Sequence, residues 1–268
     1  MKSENLQIII EAAHAGGRVL RKYFGQVLNP SEKSMAGDLV TVADLESEKA
    51  ILSVLKKIFP DYNIQSEEDG ETNNESEYTL IVDPLDGTNN FLLNMPTFSV
   101  SIALLHKKEA ILGVVYHPIN NQTFTAIKGK GAFLNGEKIS VNNITDPKRL
   151  TIIYTCGYKT DRTYLGKLIG SLFSGPHKRV INNWSAAYEH CMLACGKIEC
   201  IINDGTELHD YAAGKLIAVE AGGKPVDFLG NKETDYVNDK FIVSNTLEVN
   251  NYILKIIKPL QKSRRLTT

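Results

Sequence analysis

No apolar run in this chain approaches the ~18–20 residues that a bilayer-spanning helix needs, so no passage through a membrane is expected. Cysteine is scarce. The four residues, Cys156, Cys191, Cys195 and Cys200, show neither the density of a disulfide scaffold nor the paired spacing of a zinc site. Cys191 and Cys195 fall on one helical face near Ala187 and Ala194, which suits buried free thiols. An excess of either charge is missing as well. Thirty Lys and Arg stand against 31 Asp and Glu, a formal net charge of −1. That balance gives no electrostatic footprint for nucleic acid or an anionic membrane. One basic cluster, residues 262–265, reads as a solvated end. Residues 1–7 carry Lys2, Glu4, Asn5 and Gln7 in place of the apolar core of an export signal, so a cytoplasmic location is expected.

What remains is a globular composition, 43% apolar and 23% charged, on a chain of 268 residues long enough for one large domain or two of ordinary size. Apolar residues recur at helical spacing over residues 5–24, with Gly16 and Gly17 on the same stripe where another element can pack closely. A second helix is expected at 43–58, with Ala50, Ile51, Val54, Leu55 and Ile58 inward and Pro60 closing it. Strand-like runs at 98–105, 111–116 and 122–127 are joined by short polar turns, and Asn135-Gly136 marks a hairpin. Short connections imply antiparallel pairing, so the first part reads as α+β. From residue 150 strand and helix alternate, with helices at 162–173, 185–195, 209–221 and 249–260, and the second part reads as α/β. The boundary is placed at Asp146-Pro147, giving parts 1–146 and 147–268.

Residues 79–91, Thr-Leu-Ile-Val-Asp-Pro-Leu-Asp-Gly-Thr-Asn-Asn-Phe, carry the chemistry. A buried strand delivers Asp83 and Asp86 to its end. Pro84 lacks an N–H, so the chain is expected to turn just after Asp83. Gly87 lets the backbone approach a ligand, and the amides of Gly87 and Thr88 suit an anion. Two acids three residues apart repel unless a cation lies between them. Asp38, Asp44, Glu67 and Asp210 are four further acids that could join them. Each also has a plainer role. Asp210 could cap a helix, Thr41-Val-Ala-Asp44 resembles a capping box, Asp38 could begin a turn, and Glu67 with Glu68 could be solvated surface. Hard oxygen ligands without soft partners select magnesium, calcium or manganese. Magnesium beside phosphate suits a few carboxylates best.

Six segments together resemble the inositol monophosphatase family of magnesium-dependent, lithium-sensitive phosphatases. They are Gly37-Asp-Leu-Val-Thr-Val-Ala-Asp44, Ser66-Glu-Glu68, Asp83-Pro-Leu-Asp-Gly-Thr88, Gly113-Val-Val-Tyr-His-Pro118, Gly129-Lys-Gly-Ala-Phe-Leu-Asn-Gly136 and Asp210-Tyr-Ala-Ala-Gly214. The resemblance covers almost the full length. It implies a layered αβαβα sandwich of the sugar-phosphatase type, commonly a homodimer, acting on a small phosphorylated metabolite with two to three Mg2+ ions. By the same resemblance Glu67, Asp83 and the Leu85 carbonyl would hold one ion. Asp83, Asp86 and Asp210 would hold a second, and a weaker third would sit near Glu67. Thr88, bonded towards Asp44, would with Glu67 orient the attacking water. Gly87 and Thr88 amides would bind phosphate, and Lys33 would approach it from a loop. The implied reaction is in-line hydrolysis of a phosphomonoester without a phosphoenzyme.

The substrate end departs from the family's pattern. His209 stands where Trp is usual, and serves as a substrate contact or as a hydrogen-bond partner within the fold. Asn203 stands where a Glu commonly contacts inositol hydroxyls. Trp184-Ser185-Ala186 occupies the region of another sugar-side contact, with Trp184 either a stacking wall or core. Inositol phosphate is therefore joined by histidinol phosphate, adenosine 3′,5′-bisphosphate and fructose 1,6-bisphosphate as substrates to test. Asn89-Asn90 after Asp-Gly-Thr, in place of Lys-Glu, lies nearer the inositol type than the nucleotide type. A role of another class, association with transcription machinery, is implied by some bacterial relatives.

Overall fold

The computed structural model describes residues 3–33, 35–233 and 235–264. The side chains of the basic cluster at 262–265 lie outside the described residues. Helix α1 (Ser3–Tyr23) is followed by a small ribbon, β1 (Ser31–Glu32) with β2 (Leu39–Val40), and by α2 (Val42–Ile58). Next come β3 (Asn63–Ser66), β4 (Gly70–Thr72), β5 (Tyr78–Asp86), the short α3 (Thr88–Leu92), β6 (Ser99–His106), β7 (Glu109–His117), β8 (Gln122–Ile127), β9 (Ala132–Leu134) and β10 (Glu137–Ile139). These strands form an eight-stranded sheet in the order β10-β9-β8-β7-β6-β5-β3-β4. Pairing is antiparallel except where β3 lies parallel to β5. The crossover needed for that parallel pair runs through β4, which the hairpin grammar of the sequence does not announce.

After a 3-10 turn at Pro147–Arg149 come β11 (Thr151–Cys156), α4 (Arg162–Phe173), β12 (Arg179–Ile181), α5 (Ala186–Ala194), β13 (Cys200–Asp204), α6 (Leu208–Glu220), β14 (Lys224–Asp227), β15 (Lys240–Ser244) and α7 (Leu247–Arg264). The second sheet runs β12-β11-β13-β15-β14 and is mixed, parallel among β12, β11 and β13 and antiparallel at β15.

Period-two alternation sorts the strand residues into layers. Leu80, Val82, Val100, Ile102 and Val114 face α1 and α2, where Ile9, Leu20, Ile51 and Leu55 complete one core. Ile81, Ala103, Leu105, Val115 and Phe124 face the other way, onto α5 and α6. The opposite side of those two helices meets Ile153, Ile201, Phe241 and Val243 of the second sheet. Ile152, Tyr154, Ile202 and Ile242 then close against Leu168 and Leu172 of α4 and Ile253 and Ile257 of α7. The result is five layers, αβαβα. Because the middle helices touch a sheet on each side, α6 buries every residue from Tyr211 through Ala218, with no polar face.

Small residues set the spacing. A Cβ on Gly16 would stand 2.7 Å from Ile51 Cδ1, so α1 and α2 cross where the glycine stripe predicts close packing. On α2 the inward stripe is rotated from the expected one. Asp44, Ser47, Glu48, Ile51 and Leu55 are buried, while Ile58 is 47% exposed. The helix turns a polar stretch inward because Asp44 bonds Thr88, Ser47 the Pro84 carbonyl and Glu48 the hydroxyl of Ser66. All four cysteines are free, and Cys191 is buried.

Candidate active site

The Asp83-Pro-Leu-Asp segment does not turn away from the sheet as expected. It forms a bulge. Asp83 pairs with Ser101, the register shifts across Pro84 and Leu85, and Asp86 pairs again with Ser99. Pro84 needs no ladder partner in a bulge, which re-aims neighbouring side chains. The bulge is braced: the Ser47 hydroxyl donates to the Pro84 carbonyl at 2.8 Å and the Leu85 amide to Asp83 Oδ1 at 3.0 Å. The turn comes at Gly87, whose φ of 98° suits glycine and whose absent Cβ would stand 3.1 Å from the Thr97 carbonyl oxygen. Gly87 caps α3, so the amides of Gly87 and Thr88 lie at its opening.

Asp86 is 3% exposed. Its Oδ2 accepts from Ser99 Oγ at 2.8 Å, Ser185 Oγ at 2.7 Å and the Tyr188 amide at 3.3 Å. Those three donors fix the carboxylate through one of its oxygens. Asp210 sits in the first turn of α6, where its Oδ2 accepts from the Glu207 amide at 2.7 Å, so the side chain caps the helix and still reaches the other acids. Asp83, Asp86 and Asp210 each bring an oxygen to within 4.8 Å of the others. Glu67, Asp83 and His209 form a second such group, sharing Asp83.

Around this centre, Thr88 Oγ1 lies 2.9 Å from Asp44 Oδ1 and 3.1 Å from the Leu85 carbonyl. The Asp44 Oδ2 accepts from the Thr41 amide at 2.8 Å, so the capping box is real and the same carboxylate reaches Thr88. Lys33 Nζ pairs with Glu67 at 2.6 Å and Glu68 at 2.5 Å. Its loop is tied down at the Gly37 carbonyl, which accepts from Asn89 and from the hydroxyl of Tyr158, each at 3.1 Å. His209 Nε2 stands 3.9 Å from Glu67 and 3.8 Å from Asp210.

Other expected substrate contacts fare differently. Asn203 is fully buried, with its amide donating to the Asp239 carbonyl and its oxygen accepting from Thr206 at 2.9 Å. Its polar atoms are engaged within the fold, and the structure does not bring it into the acidic group. Ala186 opens α5 and is buried, and its carbonyl bonds His190 at 2.8 Å. Trp184 is 58% exposed, which excludes core packing, and its φ of 54° is unusual for a bulky residue. Glu48, Ser47 and Ser99 were not singled out in the sequence as parts of the site, and Ser185 was named only within the Trp184-Ser185-Ala186 segment. The signal for Ser47 and Glu48 was faint: with Asp44 they are polar residues at i, i+3 and i+4 on a helix face that also carries Ile51 and Leu55.

The profile of the inositol monophosphatase family matches residues 1–262. The chain belongs to that family. Among its relatives is the Nus factor SuhB of Pasteurella multocida, 35% identical over 260 residues that cover 95% of this chain and 96% of that protein. The fructose-1,6-bisphosphatase/inositol-1-monophosphatase of Thermotoga maritima is 33% identical and covers 95% of this chain and 96% of that protein. The solved structure of an IMPase from Thermotoga maritima superposes with a TM-score of 0.88 at 31% identity, covering 97% of this chain and 99% of that one. As an inositol monophosphatase family member the chain is a phosphatase.

The family's dependence on metal fits the electrostatics of these residues. Burial, then the charges of Glu67, Asp86 and Asp210, push the Asp83 pKa well above the usual carboxylate range. Burial is also the largest cause raising Asp86 to about 7 and Asp210 to about 6. Burial would raise Glu67 too, but His209 and Lys33 outweigh it and hold its pKa down. Carboxylates that repel one another when ionised suit a hard divalent cation. Among the described residues no helix is long and apolar enough to cross a membrane.

Proposed function

We propose that this chain is a magnesium-dependent phosphomonoesterase of the inositol-1-monophosphatase type, releasing phosphate from inositol phosphate. The observation that carries the reading is the pair of acidic groups hinged on Asp83. Glu67, Asp83 and the Leu85 carbonyl would hold one Mg2+, Asp83, Asp86 and Asp210 a second, with a third near Glu67. Bound magnesium lowers the pKa of water and neutralises the phosphate and the departing oxygen.

The chain's own groups do the positioning. Thr88 donates its proton to Asp44 and keeps a lone pair to accept from the attacking water, with Glu67 on its other side. Burial raises Asp44 only to about 6, so at neutral pH it remains largely ionised and able to accept. The amides of Gly87 and Thr88 donate to phosphate oxygens, and Lys33 balances the charge of Glu67 and Glu68. Asp86, Asp210 and Ala186 border the substrate; Asn203 is left out because its side chain is already bonded. Trp184, exposed next to Ser185, offers an apolar surface to the leaving group. Parts 1–146 and 147–268 supply the two sides, the first contributing Glu67, Asp83 and Asp86 and the second Asp210. A cytoplasmic homodimer completes the reading.

Purified protein assayed for phosphate release decides it. Magnesium-dependent release, fastest from inositol 1-phosphate, is the expected result. No release from inositol, fructose, histidinol or adenosine phosphates with magnesium present would overturn it. Relatives named Nus factor SuhB favour a second reading, association with transcription machinery. Capture of that machinery without turnover would support it.

A further inference from the structure

Helix α2 turns three buried polar side chains toward the acidic centre from one face. Asp44, Ser47 and Glu48 stand at i, i+3 and i+4 and are 0%, 0% and 5% exposed. Each reaches a different segment. Asp44 accepts from Thr88, and Ser47 donates to the Pro84 carbonyl inside the bulge. Glu48 takes the third segment. Its Oε1 accepts from the hydroxyl of Ser66 and from the amides of Glu68 and Asp69, both at 3.0 Å. Those donors flank Glu67 in the turn that leaves β3. Beyond them, the Glu67 amide is tied to the Val82 carbonyl at 3.2 Å.

We infer that Glu48 is a positioning residue for the metal centre: by gathering the turn at residues 66–69 onto one carboxylate oxygen, it fixes the direction in which Glu67 and Glu68 present their own. The inference rests on the metal-dependent reading above. Its physical basis is repulsion. The Glu67 carboxylate lies close to Asp83, and the two repel when ionised, so a free turn would relax by swinging Glu67 away from Asp83. Two successive backbone amides converging on an anion make a strong clamp, stronger with a charged acceptor than with a neutral amide. Glu48 holds the segment at its backbone, so the side chains of Glu67 and Glu68 stay free to bind Lys33 and a cation. Groups that orient metal ligands in this way commonly change metal affinity by about 10–100-fold when removed.

The test is calorimetric titration of Mn2+ into the full chain, comparing the unaltered protein with Glu48→Gln, Ser66→Ala and Leu55→Ala. Leu55 is fully buried on the same helix among apolar residues and serves to separate lost stability from lost aim. Glu48→Gln should weaken Mn2+ binding by about tenfold, Ser66→Ala by less, and Leu55→Ala not at all despite a lower Tm. In turnover, Glu48→Gln should raise the half-saturating Mn2+ concentration while excess Mn2+ restores most of kcat. Unaltered Mn2+ affinity in folded Glu48→Gln overturns the positioning role, and so does an equal loss in Leu55→Ala. Should Glu48→Gln fail to fold, unaltered affinity in Ser66→Ala overturns it instead. If the unaltered protein binds no Mn2+, the metal reading itself fails, an outcome distinct from the others.

Discussion

Asp83 belongs to both acidic groups, whereas among the described residues Lys33 pairs with Glu67 and Glu68. Asp83→Asn should therefore lower kcat at saturating Mg2+ by about 100-fold or more, ~2.7 kcal/mol in the barrier. Lys33→Ala should cost far less, within about tenfold or ~1.4 kcal/mol. Comparable losses in steady-state turnover would contradict this division of roles. At this scale the sequence was legible where residues are contiguous. Asp83, Asp86, Gly87 and Thr88 lie in one run, so their proximity needs no knowledge of the fold. Asp44 and Asp210 were candidates from the start beside their capping roles, but only the resemblance joined them to the others, since nothing local says that two helix starts converge on one strand. Glu48 stayed hidden because its three donors lie 18 to 21 residues away. Asn203 shows the opposite hazard. A position matched to a family contact is here bonded inward to Asp239 and Thr206.

Among the elements, α4 at Arg162–Phe173 and β8 at Gln122–Ile127 fall on the expected residues, because their periodicities are uninterrupted and their ends are marked. The Pro84 region did not. A proline after an acid signals a break in pairing, but a bulge and a turn break it alike, and only the partner strand distinguishes them. The short strands β3 and β4 were missed for a similar reason. They are three or four residues long and polar enough to read as loop. Between α5 and α6 the decisive residue is Gly214. A Cβ there would stand 2.7 Å from the Ala187 carbonyl oxygen and 2.8 Å from His190 Cβ. Gly214→Ala should force the two helices apart and lower the urea midpoint by the equivalent of about 1–3 kcal/mol, with the m-value unchanged. Asp210 lies one turn earlier on the same helix, so activity should fall as well. A midpoint within error of the unaltered protein would mean that the layer yields.

Taken whole, the molecule concentrates acids whose ionisation the fold opposes. Free carboxyls of aspartate titrate near 3.8, whereas burial lifts Asp44 and Asp210 to about 6 and Asp86 to about 7. Between those limits the folded state holds more protons than the unfolded one. Raising the pH through that window therefore removes stability from the metal-free protein. Glu67, held low, pulls the other way; His209, held high, adds to the same loss as it deprotonates, and Lys33, also held high, titrates above this window. In EDTA, Tm should fall between about pH 5 and 7, and excess Mg2+ should restore more of it at pH 7.5 than at pH 5. A magnesium effect independent of pH would show that these carboxylates do not take the cation. The alternation of elements announced two kinds of architecture in one chain. It could not announce that α5 and α6 serve both sheets, because burial on two sides erases the amphipathic pattern on which such reading depends.

Those two middle helices also impose an order on synthesis. A ribosome completes all eight strands of the first sheet well before it reaches residue 186. Ile81, Ala103, Leu105, Val115 and Phe124 thus emerge with one side bare, and wait through the addition of dozens of residues for their cover. A nascent chain arrested in that interval is sticky and unfinished. Asp210 arrives with the cover itself, so the acidic cradle stays incomplete until α6 emerges, after the whole first sheet and ahead of β14, β15 and α7.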